Sequence, residues 1–392
     1  MTYALGVIAF VVALLASVML HEFGHFATAK HYGMKATKFF VGFGPTLWST
    51  RRGETEYGVK AIPAGGFVKI IGMTPLEDIE AGDEDRVFYK QPPLRRFVVL
   101  VAGSVTHLVL AVVILFGVIA AFGDPINSVA TLTVGSTPAC VTANPDGVCA
   151  ATDPKAPAFG KLHAGDRIVA LNGQPLRSYD ALRHRLQASA GRAVTLTFRR
   201  DGVTRTVSLT PVAIEQDGRT VGKVGIAPVV EPKDVGVLGA VPRTFTVLGG
   251  FFTSTASALG DLPHQISQIL NGQPRGNGAA SVVDIARVSG QVAQSHIGIG
   301  ARVASLLLII AQVNFFIGIF NLLPLLPLDG GHIAILGFEE ARSRVYRRLG
   351  RRDPGRVDLL KIMPVTYAVV ALFIGVSLLL VYAGIVNPIR IQ

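Results

Sequence analysis

Four apolar runs, roughly residues 4–20, 97–122, 303–326 and 365–385, dominate the pattern of hydrophobic and polar positions along the chain. Each is long enough to cross a hydrocarbon core of about 30 Å as a helix rising 1.5 Å per residue, so the pattern predicts four transmembrane helices. The first run has no basic segment before it and no A-x-A-like site after it, and it reads as a span rather than a cleaved signal peptide. Between the second and third runs the pattern changes. Residues 129–230 carry short alternating stretches at 194–198 and 204–209 and a helix-like pattern at 179–190, which predicts a small β-rich domain with one helix. Residues 231–300 are apolar in places but interrupted, as at Gly249-Gly250, and read as amphipathic helices on the outer membrane surface. After the first run, residues 41–45 read as a turn-prone bend. Residues 55–71 read as two short strands around Pro63-Ala64-Gly65-Gly66. The second of these, Gly66 to Ile70, would leave an edge that an extended peptide could join; an ordinary cytoplasmic hairpin is the plainer reading.

Composition agrees with this division. Half of the 392 residues are hydrophobic and the mean hydropathy is +0.47, as expected for a polytopic membrane protein that carries a soluble domain. The formal net charge of +11 matters less than its distribution. Lys30, Lys35, Lys38, Arg51, Arg52, Lys60, Lys69, Arg95 and Arg96 lie between spans one and two, and Arg342, Arg344, Arg347, Arg348, Arg351, Arg352 and Arg356 between spans three and four. The positive-inside rule sends both loops to the cytoplasm and leaves the segment between spans two and three outside. These charges fix orientation and touch anionic lipid; no nucleic-acid partner is expected. Glu77 to Asp85 is acidic and reads as a solvated loop. Cys140 and Cys149 fall in the outer segment, where a disulfide is permitted, with unpaired thiols as the other reading.

The candidate chemistry begins with His21-Glu22-Phe23-Gly24-His25 at the end of the first run. Four residues apart on a helix, the two imidazoles share a face and can ligate one metal ion, with Glu22 beside them as a candidate general base. Ionisable groups in a span are costly and usually line a functional cavity. The plainer alternative is a pair of histidines hydrogen-bonded inside a bundle. From His25 to Lys30 is about 8 Å of helix, which puts the pair near one membrane face. A catalytic zinc ion usually has three protein ligands and one open position. The third apolar run leads into Asn321-Leu322-Leu323-Pro324-Leu325-Leu326-Pro327-Leu328-Asp329-Gly330-Gly331-His332, whose prolines and glycines break the helix, and Asp329 is the evident third ligand.

The His21-Glu22-x-x-His25 pair, Asn321-x-x-Pro324 leading to Leu328-Asp329-Gly330, Gly42-Phe43-Gly44-Pro45 and Gly65-Gly66-Phe67-Val68-Lys69 together resemble the site-2 protease family of intramembrane zinc metalloproteases. The likeness is to the regulator-of-sigma-E protease branch with a single PDZ domain, as in actinobacterial members. Residues 156–173 are similar to the PDZ run of bacterial proteases, and Gly222-Lys223-Val224-Gly225-Ile226 matches its peptide-binding loop and strand, with a steric filter guarding the active site as the equal alternative to capture of a free C-terminus. The resemblance implies one Zn2+ per chain on His21, His25 and Asp329, with Glu22 as base. It also implies substrate backbone held by Asn321 and by the strand around Gly65, Gly66, Phe67, Val68 and Lys69. Many relatives have an Asn where this chain has His107; His107 is expected to hydrogen-bond, with an approach to the zinc as the alternative. His332 is expected to orient a neighbour, and His31 to lie on the surface.

The fold class implied is a polytopic α-helical membrane protein of four transmembrane helices, with a membrane-associated β-hairpin and an inserted extracytoplasmic α+β PDZ domain. Its expected order is helix 1 (1–28), a cytoplasmic loop with the hairpin (29–96), helix 2 (97–123) and the PDZ domain with its preceding cysteine loop (124–230). An amphipathic segment (231–300), helix 3 with the second motif (301–337), a basic cytoplasmic loop (338–363) and helix 4 with its tail (364–392) complete it. Expected partners are single-pass membrane protein substrates, anti-sigma-factor-like or remnant signal peptides, together with the lipid bilayer and a peptide or substrate tail at the PDZ domain. The expected place is the cytoplasmic membrane, with the PDZ domain outside and the active site near the cytoplasmic face. A membrane adaptor that holds helices without cutting them is the alternative, and the base beside the ligands argues against it.

Overall fold

A computed structural model describes residues 2–73, 79–141, 149, 153–216, 219–271, 280–295 and 297–386. The chain divides into two units, Met1–Phe122 with Gly236–Gln392, and Gly123–Val235.

In the first unit the apolar runs form helices α1 (Thr2–His31), α2 (Pro93–Phe122), α7 (Ile299–Asn321) and α9 (Leu359–Val386). All four are long and apolar enough to cross a membrane. Small residues let them close up. A Cβ on Gly6 of α1 would lie 2.5 Å from the Ser289 carbonyl oxygen of α6 (Val282–Gln294), and one on Gly24 would lie 2.8 Å from the Ala102 carbonyl oxygen of α2. Helix α4 (Gly236–Gly260) runs unbroken through Gly249 and Gly250, and α5 (Leu262–Leu270) follows it.

The hairpin differs from expectation. Strand β1 (Ala36–Arg52) pairs with β2 (Thr55–Ile70). The tight turn is at Gly53-Glu54, where Gly53 has φ of +62°, and not at Pro63–Gly66. Residues 41–45 bend but stay within β1, because Gly42 and Gly44 adopt φ of +86° and +83° and absorb the irregular register. The start of β1 faces residues 56–59 on one side and 66–70 on the other, so Gly66 to Ile70 forms an outer edge. Glu54 ties the turn to neighbouring segments: it accepts both Arg86 guanidinium nitrogens, at 2.6 and 2.8 Å, and pairs with Lys30. The Arg86 hydrogen bonds, with Lys30 added, hold its carboxyl at about 2. Within the acidic loop, Glu80 and Asp83 engage Lys35; residues 77 and 78 of that loop lie outside the described residues.

The third span is also broken differently from expectation. α7 ends at Asn321, and α8 starts at Asp329 and continues to Arg348, so half of the expected basic loop is helix. The segment between them doubles back on the start of α8. A Cβ on Gly331 would come within 2.6 Å of the Leu326 amide nitrogen, and one on Gly330 would collide with the Leu322 and Leu323 carbonyl oxygens.

The second unit is a sheet in the order β10 (Ala227–Lys233), β3 (Asp124–Ser136), β4 (Arg167–Leu171), β6 (Val194–Arg200), β7 (Val203–Leu209), with β5 (Gln174–Pro175) beside β4. A hairpin of β8 (Val212–Gln216) and β9 (Arg219–Lys223) and helix α3 (Tyr179–Gln187) complete it. Leu162, Ile168, Leu182, Leu196 and Leu209 fill its core. Ser178 caps α3 by accepting the Ala181 N–H at 3.2 Å. Cys140 and Cys149 are bonded to each other, Cα atoms 5.9 Å apart.

Candidate active site

Helix α1 places His21 and His25 on one buried face, and α2 presents Val99, Gly103 and His107 to them at successive four-residue steps. His25 Nδ1 donates to the Val99 carbonyl oxygen at 2.7 Å. That bond fixes the ring and leaves Nε2 as the lone pair available to a metal. His25 Nε2 lies 3.2 Å from His21 Nε2, and each lies 3.4 Å from Asp329 Oδ2. Gly103 is what lets α2 come this close: a Cβ there would lie 2.5 Å from His21 Cε1 and collide with His25 Nε2.

These three donors fit a metal ion. For a tetrahedral ion with bonds of about 2.05 Å, ligand atoms are about 3.3 Å apart, close to the observed triangle. Asp329 Oδ2 is buried and accepts no hydrogen bond among the described residues, as an oxygen reserved for a cation would be. Asp329 reaches the site from the first turn of α8, where a carboxylate also suits the helix dipole.

Glu22 is half-buried beside the triangle, and its Oε2 accepts the Val68 N–H at 3.0 Å. The outer edge of the hairpin is thereby brought to the carboxylate. Gly66 permits this approach, since a Cβ there would lie 2.5 Å from Met19 Sδ, and Phe67 stacks on Phe40 with centroids 5.6 Å apart. Gly65, with φ of +133°, lies at the bend before them, and Lys69 is exposed.

His107 is 1% exposed, its ring 5.0 Å from that of His21. Its Nδ1 donates to Asn314 Oδ1 at 2.8 Å, and Asn314 Nδ2 donates to Ser17 Oγ at 3.1 Å. Val99, Asn314 and Ser17 were not singled out from the sequence. The four-residue step from Gly103 to His107 was the one available signal. His332 lies one turn beyond Asp329, half-buried; Asn321 is the last residue of α7; His31 is exposed at the end of α1. Gly222, Lys223, Val224, Gly225 and Ile226 lie in the second unit. There Val224 is buried, Gly225 has φ of +74°, and Ile226 offers its carbonyl oxygen to the Tyr179 O–H at 2.9 Å.

Two imidazoles, two carboxylates and an adjacent strand edge are the parts a metal-assisted hydrolase needs. Residues 9–352 match the family described as Peptidase family M50. The chain is 37% identical over its full length, and over the full length of the relative, to the zinc metalloprotease Rip1 of Mycobacterium tuberculosis. It is 35% identical, again over both full lengths, to that of Mycolicibacterium smegmatis. A putative zinc metalloprotease of Neisseria meningitidis is 28% identical over 86% of this chain and 91% of its own. A solved PDZ domain of an SdrC-like protein from Listeria monocytogenes shares 22% identity over 26% of this chain and 86% of its own; at a TM-score of 0.18 no argument rests on it. The chain therefore belongs to peptidase family M50, the site-2 protease family that its two separated motifs resemble, and is a membrane-embedded metallopeptidase.

Proposed function

We propose that the chain is a zinc-dependent endopeptidase that cuts single-pass membrane proteins within or near their spans, anti-sigma-factor-like proteins or remnant signal peptides being the expected class. The triangle of His21, His25 and Asp329 donors, with edges of 3.2 to 3.4 Å and Glu22 beside it, carries this reading. These residues would hold one zinc ion, which when bound supplies Lewis acidity. Glu22 takes a proton from the attacking water and passes it to the leaving amine.

A helical substrate hides its carbonyls in its own hydrogen bonds, so it must unwind to be cut. The edge from Gly66 to Ile70 offers replacement bonds. A substrate carbonyl that accepts the Val68 N–H takes the place Glu22 Oε2 now occupies, which frees the base and sets the peptide beside it. Asn321 is assigned to substrate backbone or the developing oxyanion, and His107 and His332 to orienting their neighbours. The site lies near the cytoplasmic face and the Gly123–Val235 unit outside, by the distribution of arginine and lysine.

That outer unit is read as a PDZ domain. Tyr179 occupies the Ile226 carbonyl that a docked peptide would need, which favours a steric filter over capture of a free C-terminus. The test of the whole reading is cleavage of a single-span substrate in vesicles. Cleavage should stop with a chelator and return with zinc, whereas cleavage indifferent to chelation would contradict it.

A further inference from the structure

Helix α8, which begins with Asp329, carries an exposed apolar stripe away from the site. Ala334, Phe338, Ala341, Val345 and Leu349 recur at helical spacing; Phe338, Val345 and Leu349 are 57%, 53% and 62% exposed. The stripe runs into a groove of about 340 Å³ between α8 and the first turns of α9, lined by Leu325, Leu326, Ala334, Phe338 and Val365 among others. Because α9 is long and apolar enough to span a membrane and few of its residues are buried, the groove would open on hydrocarbon. Among the described residues its only polar lining side chain is Thr366, whose hydroxyl donates to the Ile362 carbonyl oxygen. So apolar a set of side chains suits an acyl chain, which needs no hydrogen-bond partner.

One end of the groove carries an arginine beside its lining residue Phe338. The Arg342 guanidinium lies 5.5 Å from the Phe338 ring and donates through Nη2 to the Gly355 carbonyl oxygen at 2.6 Å. Arg344, Arg347, Arg348, Arg351 and Arg352 are also exposed, the first three on other faces of α8. Nearby carboxylates are already engaged: Glu339 by Arg96 and the Val357 N–H, and Asp353 by Ser343 and the Gly355 N–H.

We propose that this groove is a binding site for an anionic phospholipid, one acyl chain lying between α8 and α9 and the phosphate seated on Arg342. Leu325 and Leu326 precede Asp329 and Gly331 follows it, and all three line the groove, so the lipid braces the loop that presents the third ligand.

The test is native mass spectrometry of the full-length protein in detergent with phosphatidylglycerol or phosphatidylcholine of equal chain length. Phosphatidylglycerol should be retained about tenfold more, and Arg342→Gln should lower its retention about fivefold while leaving phosphatidylcholine unchanged, as expected for one arginine at a phosphate. Ala334→Phe, which fills the groove, should lower both, with helical content unchanged in both variants. Equal retention of the two lipids, or phosphatidylglycerol retention unchanged in both variants, would overturn the proposal. So would a photo-crosslinker at position 334 that captures a single-span substrate in place of lipid.

Discussion

Replacing Gly103 with Ala tests how tightly the donor triangle depends on α2. The added methyl would sit 2.5 Å from His21 Cε1 and 2.7 Å from His21 Nδ1. The first distance falls about 0.9 Å short of an ordinary 3.4 Å contact, so either the rings or the helices must move by that much. The triangle has little room for it: its edges of 3.2 and 3.4 Å already match the roughly 3.3 Å separation of tetrahedral ligands. A ring displaced by nearly 1 Å also strains the bond from His25 to Val99 that sets its orientation. Zinc affinity should therefore fall about 100-fold, or about 2.7 kcal/mol. Competition against a fluorescent chelator measures this directly. Gly117→Ala on the same helix, where a Cβ meets nothing within 4 Å, is the control and should bind as the parent does. Affinity of Gly103→Ala within about threefold of the parent would refute the reasoning, because the methyl would then have been absorbed without moving the ligands.

Two further outcomes follow from the hairpin. The Val68 N–H points to Glu22, off the paired side of its strand, so Val68→Pro removes that donor without breaking the ladder; substrate cleavage should fall at least about tenfold with zinc content unchanged, and full activity would remove the strand edge from the reaction. Glu54, held at about 2 by Arg86 and Lys30, contributes stability that is fully present above its ordinary value near 4.5 and is lost as pH falls from there through 2. Glu54→Gln should cost about 1 kcal/mol at neutral pH, and its thermal melting deficit should shrink below the ordinary carboxylate value and vanish only below pH 2; a deficit independent of pH would contradict the assignment.

The three residues of the donor triangle were legible in the sequence because their signals are local. Four-residue spacing puts His21 and His25 on one face, and a proline- and glycine-rich break in an apolar run exposes Asp329. The hydrogen-bond partners around that triangle were not legible. Val99 is 74 positions from His25 and Asn314 is 207 from His107, and nothing in their own neighbourhoods marks them. Glycine and proline within 41–45 and 63–66 suggest turns, but the tight turn is at Gly53-Glu54. In β1 and β2, Gly42, Gly44 and Gly65 instead let long strands bend without ending. The arginines from 342 to 348 read as loop by their charge, yet they extend α8, since arginine is a good helix former and no glycine or proline interrupts it after Gly337.

The most direct measurement is made on Glu22→Gln. This variant should keep the zinc content of the parent, because His21, His25 and Asp329 are untouched, and should lose cleavage of a reconstituted single-span substrate, because the group that moves the proton is gone. Zinc retained with cleavage abolished is the expected result; undiminished cleavage by Glu22→Gln would contradict the assignment of the base and the mechanism built on it.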